Sequence, residues 1–166
     1  LINESGKMYY RSGIITRNDT GIKAIADVNG KTFAYSDPFS MAGYLTPLSA
    51  FKDNSVDPSN TTFAGSYYGV VEMVYNGLIN AGAIYFSERD PDGRIHDARL
   101  KLVNKYNDMI DKVPVIFTSD PIPTPPVVVR ADLDPGLKEK VKRSFQLVAL
   151  DPGVVGALSS MYDAKG

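Results

Sequence analysis

The spacing of apolar and polar positions changes period several times along the chain, and each change predicts a new element. Residues 9–17 are rich in aromatic and β-branched side chains and predict a strand, closed by the polar run Asn18-Asp19-Thr20-Gly21. Residues 21–28 put Ile22, Ile25 and Ala26 on one side, which predicts a short helix with Gly30 beyond its end. Residues 31–35 predict a second short strand. Ser36-Asp37-Pro38 then turns the chain, because proline fixes its own φ and restricts the residue before it. Residues 40–52 have helical spacing, with Tyr44, Leu45, Leu48 and Phe51 as the apolar face. Ser40 is the expected N-cap, its hydroxyl accepting from an N–H two or three residues on.

A polar loop over 53–60 leads to a third strand at 61–64, closed by Gly65-Ser66. A helix at 68–75 ends at Asn76-Gly77, and 81–86 is a fourth strand. Asp90-Pro91-Asp92-Gly93 is a turn. Residues 97–110 carry helix-like spacing at Leu100, Val103 and Tyr106, and 113–117 predict a strand. The proline-rich run 121–126 predicts a stiff extended connection, followed by a strand at 127–130. Asp134-Pro135 opens the last clear helix, with Asp as cap and Pro at the first helical position. Its stripe is Leu137, Val141, Phe145 and Val148, and Asp151-Pro152-Gly153 stops it. The small, mixed tail from Val154 predicts no definite element. Strand–helix alternation of this kind favours an α/β fold over a sandwich.

Composition narrows the classes. The 166 residues suffice for one ordinary domain, and the content is 43% hydrophobic and 22% charged, as in a globular protein. No apolar run nears the ~20 residues of a membrane span. The formal net charge of −1 argues against a nucleic-acid partner, which calls for a basic face. The Lys138–Arg143 cluster alternates with Glu139 and apolar residues, as on a solvated helix face. With no cysteine, disulfides, thiolate metal sites and cysteine nucleophiles are excluded. The single histidine, His96, is expected in a surface loop or at a helix end, and one histidine builds no histidine-rich metal cluster. Neither a metal nor a cofactor is expected. No nucleophile–base–orienter set and no Gly-rich nucleotide loop is visible, so the expectation is a protein that is not an enzyme.

The ordered series Tyr9-Tyr10-Arg11-Ser12, Asp19-Thr20-Gly21-Ile22-Lys23, Gly30-Lys31-Thr32-Phe33-Ala34 and Asp37-Pro38-Phe39-Ser40-Met41-Ala42-Gly43-Tyr44-Leu45 resembles the periplasmic phosphate/phosphite/phosphonate-binding proteins of ABC importers. Further matches follow in order at Phe63-Ala64-Gly65-Ser66, Asn76-Gly77, Ala81-Gly82-Ala83, 119–130 and Asp132-Leu133-Asp134-Pro135. The resemblance implies a type 2 periplasmic-binding fold: α/β, a mixed sheet flanked by helices, two lobes joined by crossing strands, ligand in the cleft. In that frame residues 1–19 are a lead and the first hinge crossing. Residues 20–125 are the second lobe, and 126–166 are the return crossing and C-terminal helix of the first lobe. The chain is then expected to be one lobe plus part of the other. The first residue is Leu, and the chain is expected to begin inside a longer product or after processing.

The resemblance implies a small anionic solute as ligand and a membrane permease as partner. The expected location is periplasmic, or extracellular and membrane-anchored, with the signal segment outside this chain. The alternative is a ligand-sensing domain of a signalling receptor with the same fold. The ligand-binding residues expected are Ser40, Met41, Ala42, Gly43, Tyr67, Tyr68, Thr124 and Tyr10. A helix starting near Ser40 directs free N–H groups and the positive end of its dipole outward, which suits an oxyanion.

Three matched positions depart from the family. Ser40-Met41-Ala42-Gly43 stands where Ser-Thr-Ser-Gly is usual, so two hydroxyl donors are gone. Each hydrogen bond lost to a charged oxygen costs ~1–3 kcal/mol. Tyr67 replaces a usual His after Gly65-Ser66, and Thr124 replaces a usual Asp. Together with Phe39 and Tyr68, these changes predict a more apolar, aromatic cleft and a larger or less highly charged organic ligand.

Overall fold

The computed structural model describes residues 7–89 and 92–162, with side chains up to Ala157. The turn expected at Asp90-Pro91 falls outside them, as does the chain before Lys7. The chain divides into two compact units. One is Tyr10–Ile122; the other holds the described residues before and after it.

The larger unit is built on a mixed sheet. Its strands are β1 (Tyr9–Thr16), β2 (Thr32–Tyr35), β3 (Asn60–Phe63), β4 (Ala81–Phe86) and β5 (Val115–Thr118) in the order β3-β2-β4-β1-β5, and the short β6 (Ile122–Pro123) also pairs with β1. β2 runs parallel to both β3 and β4, whereas β1 is antiparallel to β4 and β5. Alternation along the strands feeds two cores, because successive side chains leave opposite faces. Ile14, Phe33, Tyr35, Ala81 and Ala83 enter one; Ile15, Ala34 and Ile84 enter the other.

Each core has its own helical cover. A π-helical turn (Met41–Leu45) runs directly into α1 (Thr46–Asp53), and Ala50 and Phe51 close the first core with Ile25 and Val28 of a 3-10 turn. α2 (Tyr67–Tyr75) closes the second with Val70, Val71 and Val74. α2 lies so near the sheet that a Cβ on Gly82 would overlap Val70 Cγ1.

The helix expected over 97–110 is not one helix. The structure has a 3-10 turn at Leu100–Leu102 and a single short α3 at Met109–Lys112. A buried ion pair sets the path instead. Arg99 Nε and Nη2 donate to the two Asp97 oxygens at 2.9 and 2.7 Å, and Arg99 Nη1 donates to Val113 O at 2.7 Å. Holding a desolvated guanidinium there outweighs the weak helical spacing, since a buried charge must be paired and hydrogen-bonded. His96, expected at the surface, is buried beside this pair in the sequence.

In the smaller unit, α4 (Pro135–Val148) starts as the sequence predicts, with Asp134 Oδ1 accepting from the Leu137 N–H at 2.9 Å. Residues 127–130 form no strand. They are exposed, and no ladder partner meets them among the described residues. Asp151-Pro152-Gly153 stops α4 and also opens α5 (Pro152–Tyr162), because the Asp151 carboxylate accepts from the N–H groups of Gly153 and Val154. The apolar stripe of α4 is not buried: Leu137, Phe145 and Val148 are all exposed.

Two predictions follow from this packing. Phe33→Ala empties a site lined edge-on by Tyr35 and Phe51, each at 4.9 Å between ring centroids. It is expected to cost ~3–5 kcal/mol in urea unfolding, against under ~1 kcal/mol for Leu137→Ala; equal costs would contradict the assignment of the core. The second concerns pH. Burial pushes the Tyr35 hydroxyl up from 10.0 to about 12, with smaller contributions from Tyr44 and Asp57. The unfolded chain then releases this proton first. The stability held by neutral Tyr35 is complete below pH 10 and falls as pH rises toward 12, by up to ~1.4 kcal/mol per pH unit. Tyr35→Phe should flatten that part of the stability curve, and an unchanged slope would refute it.

Candidate functional site

β2 and β3 are parallel neighbours, yet the helices that follow them cover opposite faces of the sheet. In open α/β sheets the crevice beyond the carboxyl ends of such a strand pair is where ligands are held. Two helix starts border it. Ser40 caps the first: its Oγ accepts from the Gly43 N–H at 2.9 Å. Ser66 caps the second, its Oγ accepting from the Gly69 N–H at 3.0 Å. Gly65, at φ +78°, makes the tight entry from β3 that a side chain would strain.

The first helix start is held by an unusual set of bonds. Pro47 has no N–H, so it cannot serve the carbonyls of Gly43 or Ala42 four and five residues back. The Thr46 N–H donates to Met41 O, one residue further than in an α-helix. The two stranded carbonyls find donors elsewhere. Ser12 Oγ on β1 donates to Ala42 O at 2.6 Å, and the Ser36 N–H after β2 donates to Gly43 O at 3.2 Å. Ser12 is itself fixed, its N–H donating to Ser119 Oγ at 3.0 Å. Gly43 is packed so closely that a Cβ would overlap the Ser36 hydroxyl and come within 2.9 Å of Tyr67 Cε1.

Tyr67 joins the two helix starts. Its Oη lies 2.6 Å from Ser40 Oγ, and its ring meets Tyr85 edge-on at 5.1 Å. Burial pushes the Tyr67 hydroxyl up, the Ser40 bond pulls it down, and nearby Tyr10 and Asp37 add smaller upward pushes. Burial also raises Tyr10. Both phenols therefore stay protonated at neutral pH and offer donors. Among the described residues, the N–H groups of Met41 and Ala42 on the first helix and of Tyr67 and Tyr68 on the second meet no acceptor.

The expected residues Ser40, Met41, Ala42, Gly43, Tyr67 and Tyr10 thus all belong to the larger unit, and Ser40, Gly43 and Tyr67 touch one another or nearly so. Tyr68 brings its N–H to the second helix start, but its ring pairs with Lys101, whose Nζ is 5.3 Å from the ring centroid. Thr124 is in the smaller unit, where its N–H and hydroxyl both donate to Met8 O, at 3.0 and 3.2 Å. Ser12 and Ser36 were not expected. The signal for them is Pro47, which lies beyond the first turn of the helical run that opens at Met41, where a missing N–H leaves a carbonyl in need of an outside donor.

The family model for the periplasmic phosphonate substrate-binding protein of ABC transporters matches residues 1–165. Among solved structures, XAC2383 from Xanthomonas citri bound to ATP is similar at TM-score 0.76 and 20% identity, over 100% of this chain and 62% of that one. A binding protein component of an ABC phosphonate transporter from Pseudomonas aeruginosa gives 0.71 at 24% identity, over 99% of this chain and 54% of that one. PhnD1 from Prochlorococcus marinus, in complex with methylphosphonate, gives 0.54 at 13% identity, over 70% and 43%. The chain spans less than two thirds of the length of each. At these identities the likeness is one of fold, the type 2 periplasmic-binding fold that the mixed sheet and its helices display. The match along nearly every residue adds the family: the chain belongs to the periplasmic phosphonate substrate-binding proteins of ABC transporters.

Proposed function

We propose that the protein carrying this chain is the solute-binding component of an ABC-type importer, and that the Ser40 crevice holds the acidic end of a small phosphonate-like or related organic anion. The observation that carries this is the pair of helix starts, joined by the Ser40–Tyr67 bond, with four N–H groups that meet no acceptor among the described residues. Each helix start adds roughly half a positive charge, which favours an anion without a Lys or Arg. In this reading Met41 and Ala42 donate through their backbones and Ser40 through its hydroxyl. Gly43 permits the close packing behind them, Tyr67 holds Ser40, and Tyr10 is a wall residue. Tyr68, drawn under Lys101, and Thr124, bound to Met8, carry the least weight.

The same reading makes residues 20–125 the second lobe. Residues 1–19 and 126–166 then supply the crossings and part of the first lobe. A membrane permease is the partner, and the periplasm or the outer face of the membrane is the place. The transporter description of the family supports delivery over sensing.

Two experiments test this. Calorimetry of the full-length protein against methylphosphonate, phosphite, a sulfonate and a carboxylate should give binding to at least one acid. Ser40→Ala with Tyr67→Phe should weaken it roughly tenfold or more, as expected for losing a hydrogen bond to a charged group. Silence toward every anion, or full affinity in the double variant, would sink the reading. For the scaffold, Ser12→Ala strands the buried Ala42 carbonyl. It should cost ~1–3 kcal/mol in urea unfolding and also weaken anion binding. A loss below a few tenths would show that the carbonyl has another donor.

A further inference from the structure

Phe39 is 93% exposed, and it lies in the turn that leads into the first helix start. It stands two residues before Met41, whose N–H is the first unoccupied amide of the helix and whose side chain is itself 47% exposed. The turn that presents Phe39 is fixed. The Phe39 N–H donates to Asp37 Oδ1 at 3.0 Å, the Ser40 N–H donates to Asp37 O at 3.3 Å, and Pro38 restricts the residue between. Leu45 and Leu48 continue the Met41 face four and seven residues on, and both are exposed. Tyr67, also at this edge, is committed elsewhere, since it is held by Ser40 and Tyr85.

We propose that Phe39 and Met41 are specificity-determining residues that select acids whose charged group carries an apolar or aromatic substituent. This rests on the reading of the paired helix starts as an anion site. The chemistry of the two walls is complementary to such a ligand. Backbone N–H groups take the acid, while Met41 and Ala42 supply no side-chain hydroxyl for further oxygens. A ring or alkyl group beside the acid would cover Phe39 and leave water, and the rigid turn means little freedom is lost on contact. A compact acid such as methylphosphonate uses the amides and leaves Phe39 wet.

The test is titration calorimetry of the full-length protein with methylphosphonate and with phenylphosphonate. Wild type should bind phenylphosphonate roughly tenfold more tightly or better, about the effect of burying a ring face. Phe39→Ala should remove several-fold of that preference while leaving methylphosphonate within about twofold, whereas Met41→Thr, which adds a hydroxyl donor, should narrow the preference by tightening methylphosphonate. Phe39→Leu should restore part of it. Equal affinity for the two acids in wild type, or an equal loss for both in Phe39→Ala, overturns the selective role and leaves the anion site standing. Binding of neither acid by wild type that is folded by circular dichroism overturns the selection, and it overturns the anion site as well if phosphite, a sulfonate and a carboxylate are equally silent.

Discussion

The geometry of the crevice depends on one missing hydrogen. Pro47 cannot donate, so the first turn of the helix after β2 cannot close its own ladder. A buried carbonyl without a donor costs ~1–3 kcal/mol, and here there are two in succession. The chain meets the demand with Ser12 from β1 and the backbone of Ser36 from the end of β2. Those bonds pull the helix start down onto two strands, and the absence of a side chain on Gly43 lets it come close enough. The widened turn is therefore a device that aligns the opening amides with the sheet. π-turns inside helices are frequent at functional sites.

The sheet supplies the second half of the arrangement. Because β2 and β3 are parallel and their helices depart to opposite faces, two helix starts are brought to one edge. A single tyrosine spans the gap between them. The 2.6 Å contact of its hydroxyl with Ser40 Oγ uses one proton and leaves the other hydroxyl proton of the pair to donate elsewhere. Burial keeps the Tyr67 phenol neutral, so that donor persists across physiological pH.

Much of this was legible in the residues. β4 falls where its apolar run lies, β1 and β2 match within a residue, and the caps at Ser40 and Asp134 are as their chemistry demands. What failed did so for identifiable reasons. Leu100, Val103 and Tyr106 have helical spacing, but the Asp97–Arg99 pair fixes a path that spacing cannot reveal. Val127–Val129 have strand propensity and no strand to pair with among the described residues, and β propensity is a property of packing rather than of the backbone alone. The Asp-Pro-Gly at 151 is the same opening signal as the one at 134, and in both the Asp carboxylate accepts from the first amides of the helix that follows. Ser12 lies 30 residues from Ala42, and nothing local in either announces the other.

The Ser12 bond also bears on portability. A peptide copied from the turn and helix alone, residues 36–53, would bring the amides but leave the Ala42 oxygen without its donor, since that donor sits on a strand 30 positions earlier. Anyone transplanting this cradle into a new scaffold would need to carry the strand with it, or replace Pro47 and accept a differently wound opening turn.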